Sequence, residues 1–389
     1  MFEIAGTVTL RKGESKRIRT GHLWIYRNEV VHLDASIKPG DLVWVLDEAG
    51  RKLGAGAANP NSLICVRLLT RGANEFTEEV FKERFAHAIE RRAHLACDAK
   101  RLVNAEGDLL PGLIVDLYRD VVAVQLQIGA WERRKDLIVE MVKEAIKPHA
   151  IVLRNDSKAR RSEGLETYTE VVGNLDGNIV IKEGGIEVEV DVVRGQKTGY
   201  YIDQRANRLM ILPLVSGRKV LDCFCYTATW AVMCARSGAR EVTGLDASET
   251  VLDLARRNAA RNGVDIDLRQ VDVFDELPAM ARQKVKYDVI ILDPPSLAAS
   301  RRTVSGAIRG YIHLNRLAIG LLNPGGLLVT CSCSHHITPP IFEDLLHEAA
   351  SLVKRQVAII MRGGQPEDHP ALLAMPETTY LKCLVLRVI

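Results

Sequence analysis

The sequence has no uncharged apolar run that approaches the roughly 20 residues a membrane-spanning helix requires. Its first residues, MFEIAGTVTLRKGES, also lack the apolar core of a signal peptide. The eight cysteines include no CxxC pair and lie largely within apolar stretches, which favours reduced thiols over a disulfide framework. We therefore expect a cytoplasmic protein without a membrane partner.

Ligand sets for a metal ion are missing as well. Two CxC pairs occur, Cys223/Cys225 and Cys331/Cys333, and two histidines follow the second pair. No further cysteine or histidine completes a set at zinc spacing, so we expect no bound metal. The net charge is only +3 over 389 residues. This balance neither demands nor excludes a nucleic-acid partner, so the positions of the charges must decide.

Short strand-like stretches fill residues 7–69 and are separated by Gly, Pro and Asn residues. The stretches VTL, HLWIY, DLVWVLD and SLICVRLLT predict a small β-barrel or sandwich. Basic and aromatic side chains alternate between the first two, which suits RNA because phosphates attract the charges and bases stack on the rings. The candidate RNA-binding residues are Arg11, Lys12, Lys16, Arg17, Arg19 and Trp24. The alternative is a solvated basic loop with Trp24 in the core.

The middle of the chain predicts a small α+β element. Residues 76–99 have the apolar spacing of an amphipathic surface helix, and residues 131–147 predict a second helix that Pro148 ends. Strand-like runs occur at residues 109–117, 121–128, 150–154 and 179–180. The charged stretch SKARRSEG between the last two runs is expected to be a solvated loop rather than a mobile substrate loop.

From Lys219 onward, apolar strands alternate with helices, an order that builds a parallel, doubly wound sheet. Aspartates come at the ends of the first three strands, at Asp222, Asp246 and Asp272. An acid after the second strand of such a sheet binds ribose, because a carboxylate accepts two hydrogen bonds from a vicinal diol. Each aspartate alone is typical of a turn or cap, but three in register predict a ribose-containing ligand.

The first strand-to-helix turn lacks the GxGxxG pattern that would seat a pyrophosphate on the helix amino terminus. Its sequence is DCFCYTAT, so the ribose acid is kept while the phosphate cradle is lost. This combination favours S-adenosylmethionine, which carries no phosphate, as the cofactor. Asp272 would then reach the adenine amino group.

The fourth strand ends in Asp293-Pro294-Pro295, a rigid lip on which a flat base could rest while Asp293 faces its polar edge. Amino-group methyltransferases usually place an aromatic residue after the prolines, whereas Ser296 and Leu297 follow here. The motif therefore argues against N-methylation and leaves room for chemistry at carbon.

The stretch GGLLVTCSCS brings Cys331 and Cys333 to the end of a predicted buried strand. Free cysteines usually just pack in the interior, and that interpretation applies to both. Methylation at carbon 5 of a pyrimidine, however, needs a thiolate that adds to carbon 6 and pushes electron density onto carbon 5. A thiol at this edge of the sheet is placed for such chemistry.

Several sequence pieces together resemble one known family: QKTGYYIDQRANR, VLDCFCYTATWAV, ILDPPS, RGYIHLNRLAIGLLNPGG, TCSCS and DHPALLAMPETTYLKCLVLRVI. On these the chain is similar, over nearly its full length, to the RlmI-type ribosomal RNA large subunit cytosine-5 methyltransferases. Its amino-terminal segment resembles a PUA domain.

The resemblance implies three domains. Residues 1–72 would form a PUA-like RNA-binding β-barrel and residues 73–185 a small central α+β domain. Residues 186–389 would form a Rossmann-like class I methyltransferase domain that binds S-adenosylmethionine. The implied activity is methylation of carbon 5 of a cytosine in 23S ribosomal RNA.

The resemblance also implies roles for individual residues. Cys333 would be the nucleophile, Asp293 would hold the N3 and amino edge of cytosine, and Cys331 would be an extra thiol. The implied cofactor-binding residues are Tyr201, Asp203, Gln204, Arg205, Asp222, Phe224, Cys225, Tyr226, Asp246, Asp272, Val273 and Asp293. The base that removes the carbon-5 proton stays open between Cys331, His335 and water.

Two positions depart from the family pattern. Ala228 replaces a glycine of the first turn, which should be tolerated if its φ is negative, and Ser296 replaces a lysine after the double proline. Other functions stay open: methylation of uracil carbon 5 or of a base nitrogen, or a noncatalytic RNA-binding ribosome-assembly factor. Large-subunit ribosomal RNA is the expected partner, and a homodimer is left open.

Overall fold

The computed structural model of the protein describes residues 2–297 and 304–389. The chain forms two compact units, and each draws on separate stretches of the sequence. The first unit runs through Ile179 and adds Val190–Ile202 and Glu367–Thr378. The second comprises Val180–Glu189, Asp203–Pro366 and Thr379–Ile389. The three-domain division at residues 72/73 and 185/186 stays a prediction.

The amino-terminal part of the first unit is a six-stranded sheet. Its elements are β1 (Ile4–Leu10), α1 (Ser15–Arg19), β2 (Trp24–Tyr26), β3 (Val30–Leu33), β4 (Leu42–Leu46), β5 (Lys52–Ala58) and β6 (Ile64–Leu68). The strands are arranged in the order β2-β6-β5-β4-β1-β3. Val8 and Leu10 of β1 pack in one core with Val43 and Val45 of β4. The alternation seen in the sequence therefore lines a shared interior, as predicted for a small β module.

A second sheet with helices completes the first unit. Its elements are α2 (Glu78–Glu90), β7 (Ala99–Asn104), β8 (Leu113–Tyr118), β9 (Val121–Leu126), α3 (Gly129–Glu132), α4 (Lys135–Ile146), β10 (Ala150–Asn155), α5 (Lys158–Ser162) and β11 (Tyr168–Gly173). The strand order is β11-β10-β9-β8-β7. Phe81 of α2 stacks on Trp131 of α3, with 5.0 Å between ring centroids, in a core that also contains Leu42 of β4. The predicted α+β character is confirmed, but the amphipathic helix ends at Glu90 rather than near residue 99, and the predicted second helix divides into α3 and α4.

The stretch SKARRSEG is not the solvated loop that its charges suggest. It contains α5, and Arg160 of that helix is only 1% exposed. Its guanidinium donates to the Glu166 carbonyl at 2.9 Å and to the Glu132 carboxylate at 2.7 Å. Paired in this way, a charged residue can be buried.

The segment Glu367–Thr378 belongs to the first unit although the chain on both sides of it belongs to the second. Asp368 accepts a hydrogen bond from the Arg101 amide at 3.1 Å, and Met375 is buried in the core of the six-stranded sheet. The carboxyl-terminal region thus supplies part of the amino-terminal unit.

The second unit contains a seven-stranded sheet and a hairpin, whose outermost residues Ile179 and Val190 belong to the first unit. Its elements are β12 (Ile179–Glu183), β13 (Ile186–Val190), α6 (Arg205–Ile211), β14 (Lys219–Cys223), α7 (Thr229–Arg236), β15 (Glu241–Asp246), α8 (Glu249–Arg261), β16 (Asp267–Gln270), α9 (Val273–Arg282), β17 (Tyr287–Leu292), α10 (Val304–Leu321), β18 (Leu322–Ser332), α11 (Pro339–Leu352), β19 (Val357–Gly364) and β20 (Lys382–Val388). The hairpin pairs β12 with β13, and the large sheet has the order β16-β15-β14-β17-β18-β20-β19.

The large sheet is mostly parallel, as predicted. Strands β14 to β18 run parallel to their neighbours among themselves, while β20 is antiparallel to both β18 and β19. Residues 289–292 of β17 are all buried, the pattern of a strand that is covered on both faces. Because β14, β15, β17 and β18 end at one edge of the sheet, the side chains that follow them gather there. Of the helices that the structure describes, none combines the length and apolar character needed to cross a membrane.

Candidate functional site

The turn after β14 has an unusual backbone. Phe224, Tyr226 and Ala228 all have positive φ angles, of 62°, 52° and 58°. Alanine at position 228 is expected to be tolerated if its φ is negative, but the observed φ is positive. An L-residue in this left-handed region costs roughly 1–2 kcal/mol relative to the right-handed region. Strain of this kind is typically stored at ligand-binding turns, where backbone groups must be presented to a bound molecule.

Asp222, at the end of β14, is fully buried with one carboxylate oxygen satisfied. Its Oδ2 accepts a hydrogen bond from the Ala231 amide at 3.1 Å, whereas its Oδ1 has no partner among the described residues. The hydroxyl of Thr227, buried in the same turn, is also without a partner in the described part of the chain. Buried polar atoms are nearly always hydrogen-bonded, so the two orphaned oxygens indicate that a ligand completes this site.

The charge of Asp222 is poorly compensated. Burial, followed by the negative charge of Asp293, raises the pKa of Asp222 well above its ordinary range, and Asp246 adds to the effect. An ionised carboxylate at position 222 therefore lowers the stability of the ligand-free protein.

Replacing Asp222 by asparagine is expected to stabilise the ligand-free protein and to weaken cofactor binding. A native carboxyl with a raised pKa binds more protons than the unfolded one, so the free energy of unfolding falls as the pH rises from the ordinary value toward the raised value. The neutral amide removes that loss, so the variant should unfold at a higher temperature than the unmodified protein near neutral pH. Thermal unfolding as a function of pH, with and without S-adenosylhomocysteine, measures both effects.

The stabilisation in that variant should shrink at acidic pH, below about 3.9, where the carboxyl is protonated in both states. A variant that is less stable than the unmodified protein at neutral pH would contradict an uncompensated charge at Asp222.

Asp246 closes β15 and faces the strained turn. Its Oδ2 accepts from the Tyr226 amide and its Oδ1 from the Ser248 amide, both at 3.0 Å. A carboxylate oxygen has two lone pairs, so each oxygen retains one acceptor site. Asp246 can therefore accept from both hydroxyls of a ribose.

Asp272 lies beyond the end of β16 and caps α9. Its Oδ1 accepts from the Phe274 amide at 2.8 Å, and the side chain is exposed. The ring of Phe274 meets that of Phe224 edge to face, at 6.2 Å between centroids. Phe274 is absent from the predicted cofactor-binding residues. Its position directly after QVDV is a signal that its ring could pack against a flat adenine. Val273, which is in that set, is buried in the core.

Asp293 is held by side chains that precede β14 in the chain. Gln204 Nε2 donates to Asp293 Oδ2 at 2.9 Å, and Gln204 Oε1 accepts from Asn207 Nδ2 at 2.6 Å. Asn207 Oδ1 in turn accepts from the Gly364 amide at 3.0 Å. Sequence reasoning missed Asn207, which fixes the orientation of the Gln204 amide.

The remaining predicted cofactor residues occupy varied positions. Asp203 is buried and accepts from the Tyr380 hydroxyl at 2.8 Å, and Arg205 begins α6. The Cys225 thiol is buried beside Gly244, and burial raises its pKa well above the usual range. Tyr201 belongs to the first unit, where its hydroxyl donates to Gln196. Contact of these residues with the cofactor stays a prediction.

The two cysteines of β18 have different surroundings. Cys331 is fully buried opposite Cys383 of β20, and a hydrogen bond with Cys383 together with burial raises the pKa of Cys331 well above the ordinary value. Such a thiol is inert, as expected for a packed residue. Cys333 lies one residue beyond the strand and is half-buried.

The segment after Cys333 meets the lip formed by residues 293–296. The hydroxyl of Ser334 lies 3.1 Å from that of Ser296 and 3.1 Å from that of Tyr311. The ends of β17 and β18 thus form one polar edge, and Cys333, which is half-buried, directly precedes Ser334 at that edge.

The predicted RNA-binding residues divide into two groups. Arg11, Lys12 and Lys16 are exposed. The others make structural contacts: Arg17 pairs with Glu29 at 2.6 Å, Arg19 pairs with Asp47, and Trp24 Nε1 donates to Glu106 at 2.8 Å. Trp24 is half-buried, so the interpretation of this residue as part of the packing is partly supported.

These residues fit S-adenosylmethionine. Asp246 has free acceptor sites for the hydroxyls of a ribose. The rings of Phe224 and Phe274 contact each other and offer an apolar surface for an adenine. Asp222 carries an oxygen that lacks a hydrogen-bond partner among the described residues. The turn offers no glycine-rich phosphate cradle, in keeping with a nucleoside that carries no phosphate.

Comparisons with known families agree with this geometry. Residues 8–71 match the PUA-like domain family. Residues 111–387 match the family of S-adenosylmethionine-dependent methyltransferases. The predicted order of a PUA-like module before a class I methyltransferase domain is confirmed.

Two solved structures share the fold. A candidate S-adenosylmethionine-dependent methyltransferase from Streptococcus mutans aligns with a TM-score of 0.85 at 21% identity, over 99% of this chain and 100% of that one. A candidate methyltransferase solved with S-adenosylhomocysteine aligns with a TM-score of 0.87 at 22% identity and the same coverage.

Curated relatives are similar over the full length. Ribosomal RNA large subunit methyltransferase I of Shewanella denitrificans is 38% identical, over 98% of this chain and 99% of that protein. The protein of the same name from Klebsiella pneumoniae is 37% identical, over 98% of both chains. The chain therefore belongs to the ribosomal RNA large subunit methyltransferase I family of S-adenosylmethionine-dependent methyltransferases, with S-adenosylmethionine as its cofactor.

Proposed function

We propose that the protein methylates carbon 5 of a cytosine in large-subunit (23S) ribosomal RNA, with Cys333 as the nucleophile. This proposal is carried by the half-buried thiol of Cys333 at the carboxyl end of β18, the strand that pairs with β17, which the Asp293-Pro294-Pro295 lip follows. The curated relatives are named for methylation of large-subunit ribosomal RNA, which supports the substrate class.

The chemistry follows from the reactivity of the pyrimidine ring. The Cys333 thiolate forms a bond to carbon 6, and the electron pair displaced from the 5,6 double bond makes carbon 5 nucleophilic. S-adenosylmethionine, when bound, supplies an electrophilic methyl group. Loss of the carbon-5 proton to a base then allows the bond between sulfur and carbon 6 to break, which restores the ring and the thiolate.

Asp293 would bind the amino and N3 edge of the cytosine. Its carboxylate is oriented by Gln204, and that amide is held by Asn207. A carboxylate favours the N3-protonated ring, which accepts a thiolate more readily because the displaced electron density is stabilised. Uracil has no exocyclic amino group to donate to this carboxylate, which favours cytosine as the target.

Arg11, Lys12 and Lys16 would contact the phosphates of the RNA outside the reacting nucleotide. They are exposed residues of the PUA-like module, and phosphate contacts position RNA without reading its sequence. We place the reaction in the cytoplasm and the three domains at residues 1–72, 73–185 and 186–389.

The test is transfer of a labelled methyl group from S-adenosylmethionine to deproteinised 23S ribosomal RNA, followed by digestion to nucleosides. We expect the label in 5-methylcytidine. Label in 5-methyluridine or in an N-methylated base would overturn the proposed chemistry. Tight RNA binding without any transfer, to naked RNA or to ribosomal particles, would identify a noncatalytic assembly factor instead.

A further inference from the structure

We propose that Lys382 is the cation that holds Cys333 in its thiolate form, and so acts as a positioning residue for the nucleophile. The inference concerns the ionisation of this thiol, and its importance for catalysis rests on the proposed role of Cys333. No local motif marks Lys382, which lies 49 positions farther along the chain.

The fold brings Lys382 next to Cys333 through strand pairing. Lys382 begins β20 and lies opposite Ser332 in the antiparallel register with β18. Its ammonium donates to the Ser334 carbonyl and to the Tyr380 carbonyl, both at 2.8 Å. The positive charge is therefore fixed at the carbonyl of Ser334, the residue that follows Cys333.

Lys382 is a buried cation without a carboxylate partner. Its exposed fraction is 6%, and no Asp or Glu of the described residues forms an ion pair with it. An ammonium has three hydrogens, of which the two carbonyls take two. Burying a charge is costly unless an opposite charge compensates it, and the nearby thiolate can do so.

The titration behaviour of Lys382 agrees with this geometry. Burial lowers the pKa of Lys382 to about 8, while the negative charge of Cys333 acts in the opposite direction. The interaction is mutual, because a thiolate that stabilises the ammonium is equally stabilised by it. At neutral pH Lys382 is therefore still mostly protonated, and the ion pair can form.

Other groups at this edge do not supply the positive charge. The negative charge of Asp293 raises the pKa of Cys331 and so opposes ionisation of that thiol. Burial raises the pKa of Tyr311, which stays neutral. Other titratable groups near Lys382 in the described part of the chain are Cys331, Cys383, His335 and Tyr380, together with Glu343 and Arg362, which pair with each other. His335 is exposed, and its ring lies 5.9 Å from that of Tyr380, so water screens its interaction with the thiol more strongly than that of the buried Lys382.

The test measures thiolate formation directly. The full-length protein is alkylated with iodoacetamide from about pH 5 to about pH 10, and modification of the Cys333 peptide is followed by mass spectrometry, because only the thiolate reacts. In the unmodified protein the reaction should rise at a pH below the ordinary cysteine value. In Lys382→Gln the profile should move upward by about one pH unit, with about ten-fold slower alkylation near neutral pH. Lys382→Arg should keep the profile of the unmodified protein.

The Gln variant separates charge from structure. Its side-chain amide can still donate hydrogen bonds to the two carbonyls but carries no charge. Thermal unfolding checks that each variant is folded, and Cys333→Ser verifies the identity of the alkylated peptide. An unchanged profile in folded Lys382→Gln, or an equal shift in Lys382→Arg, would overturn the proposal.

The unmodified protein provides a test that does not depend on any variant folding. A Cys333 profile that rises only at or above the ordinary cysteine pKa of about 8.5 would refute the ion pair. Because alkylation uses neither RNA nor cofactor, this failure is distinct from a failure of the proposed cytosine methylation, which the labelled-nucleoside assay reports.

Discussion

Replacing Cys333 by alanine is expected to abolish methyl transfer to ribosomal RNA while leaving the affinity for S-adenosylhomocysteine unchanged. Carbon 5 of cytosine is too weak a nucleophile to react without the bond from sulfur to carbon 6. We expect the rate to fall by at least about 1,000-fold, the scale seen when a covalent nucleophile is removed. Transfer of labelled methyl groups measures the first effect, and isothermal titration calorimetry measures the second.

Cys331→Ala is the matched control, because it removes a thiol two residues away that is fully buried opposite Cys383. This variant should lose about 1 kcal/mol of stability from lost packing yet retain methyl transfer. Normal activity in Cys333→Ala would refute the covalent mechanism. Loss of activity in Cys331→Ala alone would transfer the nucleophilic role to Cys331.

Replacing Asp246 by alanine should weaken binding of S-adenosylhomocysteine by about 30- to 100-fold, which corresponds to about 2–3 kcal/mol. The carboxylate is expected to accept both ribose hydroxyls, and it also orders the turn through the Tyr226 amide. Both contributions are lost together in the variant. Calorimetric titration of the ligand-free protein provides the measurement.

Asp267→Ala is a suitable control for that experiment. Asp267 begins the neighbouring strand β16, is exposed and pairs with Arg269 at 2.8 Å, so its removal should leave cofactor affinity unchanged. Thermal unfolding establishes that both variants are folded. Equal affinities of Asp246→Ala and the unmodified protein would show that the ribose binds elsewhere.

The sequence predicts the parallel sheet and the positions of its strand-end residues well. Alternating apolar strands and helices define the doubly wound order, and this order places Asp222, Asp246 and Asp293 at one edge. These are local patterns combined with a strong topological rule, so they are readable without coordinates. Asp272 shows the limit of prediction from local patterns. The third strand ends at Gln270, and the Asp272 carboxylate caps helix α9 instead of ending the strand.

Contacts between distant parts of the chain are not readable in this way. Arg160 looks solvated in sequence because its partner Glu132 precedes it by 28 positions. Lys382 resembles an ordinary strand residue until β20 pairs with β18. The positive φ of Ala228 is likewise hidden, because alanine gives no local signal of a left-handed conformation. Each depends on tertiary structure that overrides local preference.

The passage of Glu367–Thr378 into the first unit makes the two units topologically interlaced. Neither unit corresponds to one uninterrupted stretch of polypeptide, so no single cut in the gene or the chain can separate them. A fragment that begins near residue 186 would carry Met375 without the core in which it is buried. The ribosome must also release nearly the whole chain before the amino-terminal unit can be completed, which ties the maturation of the PUA-like module to synthesis of the carboxyl terminus.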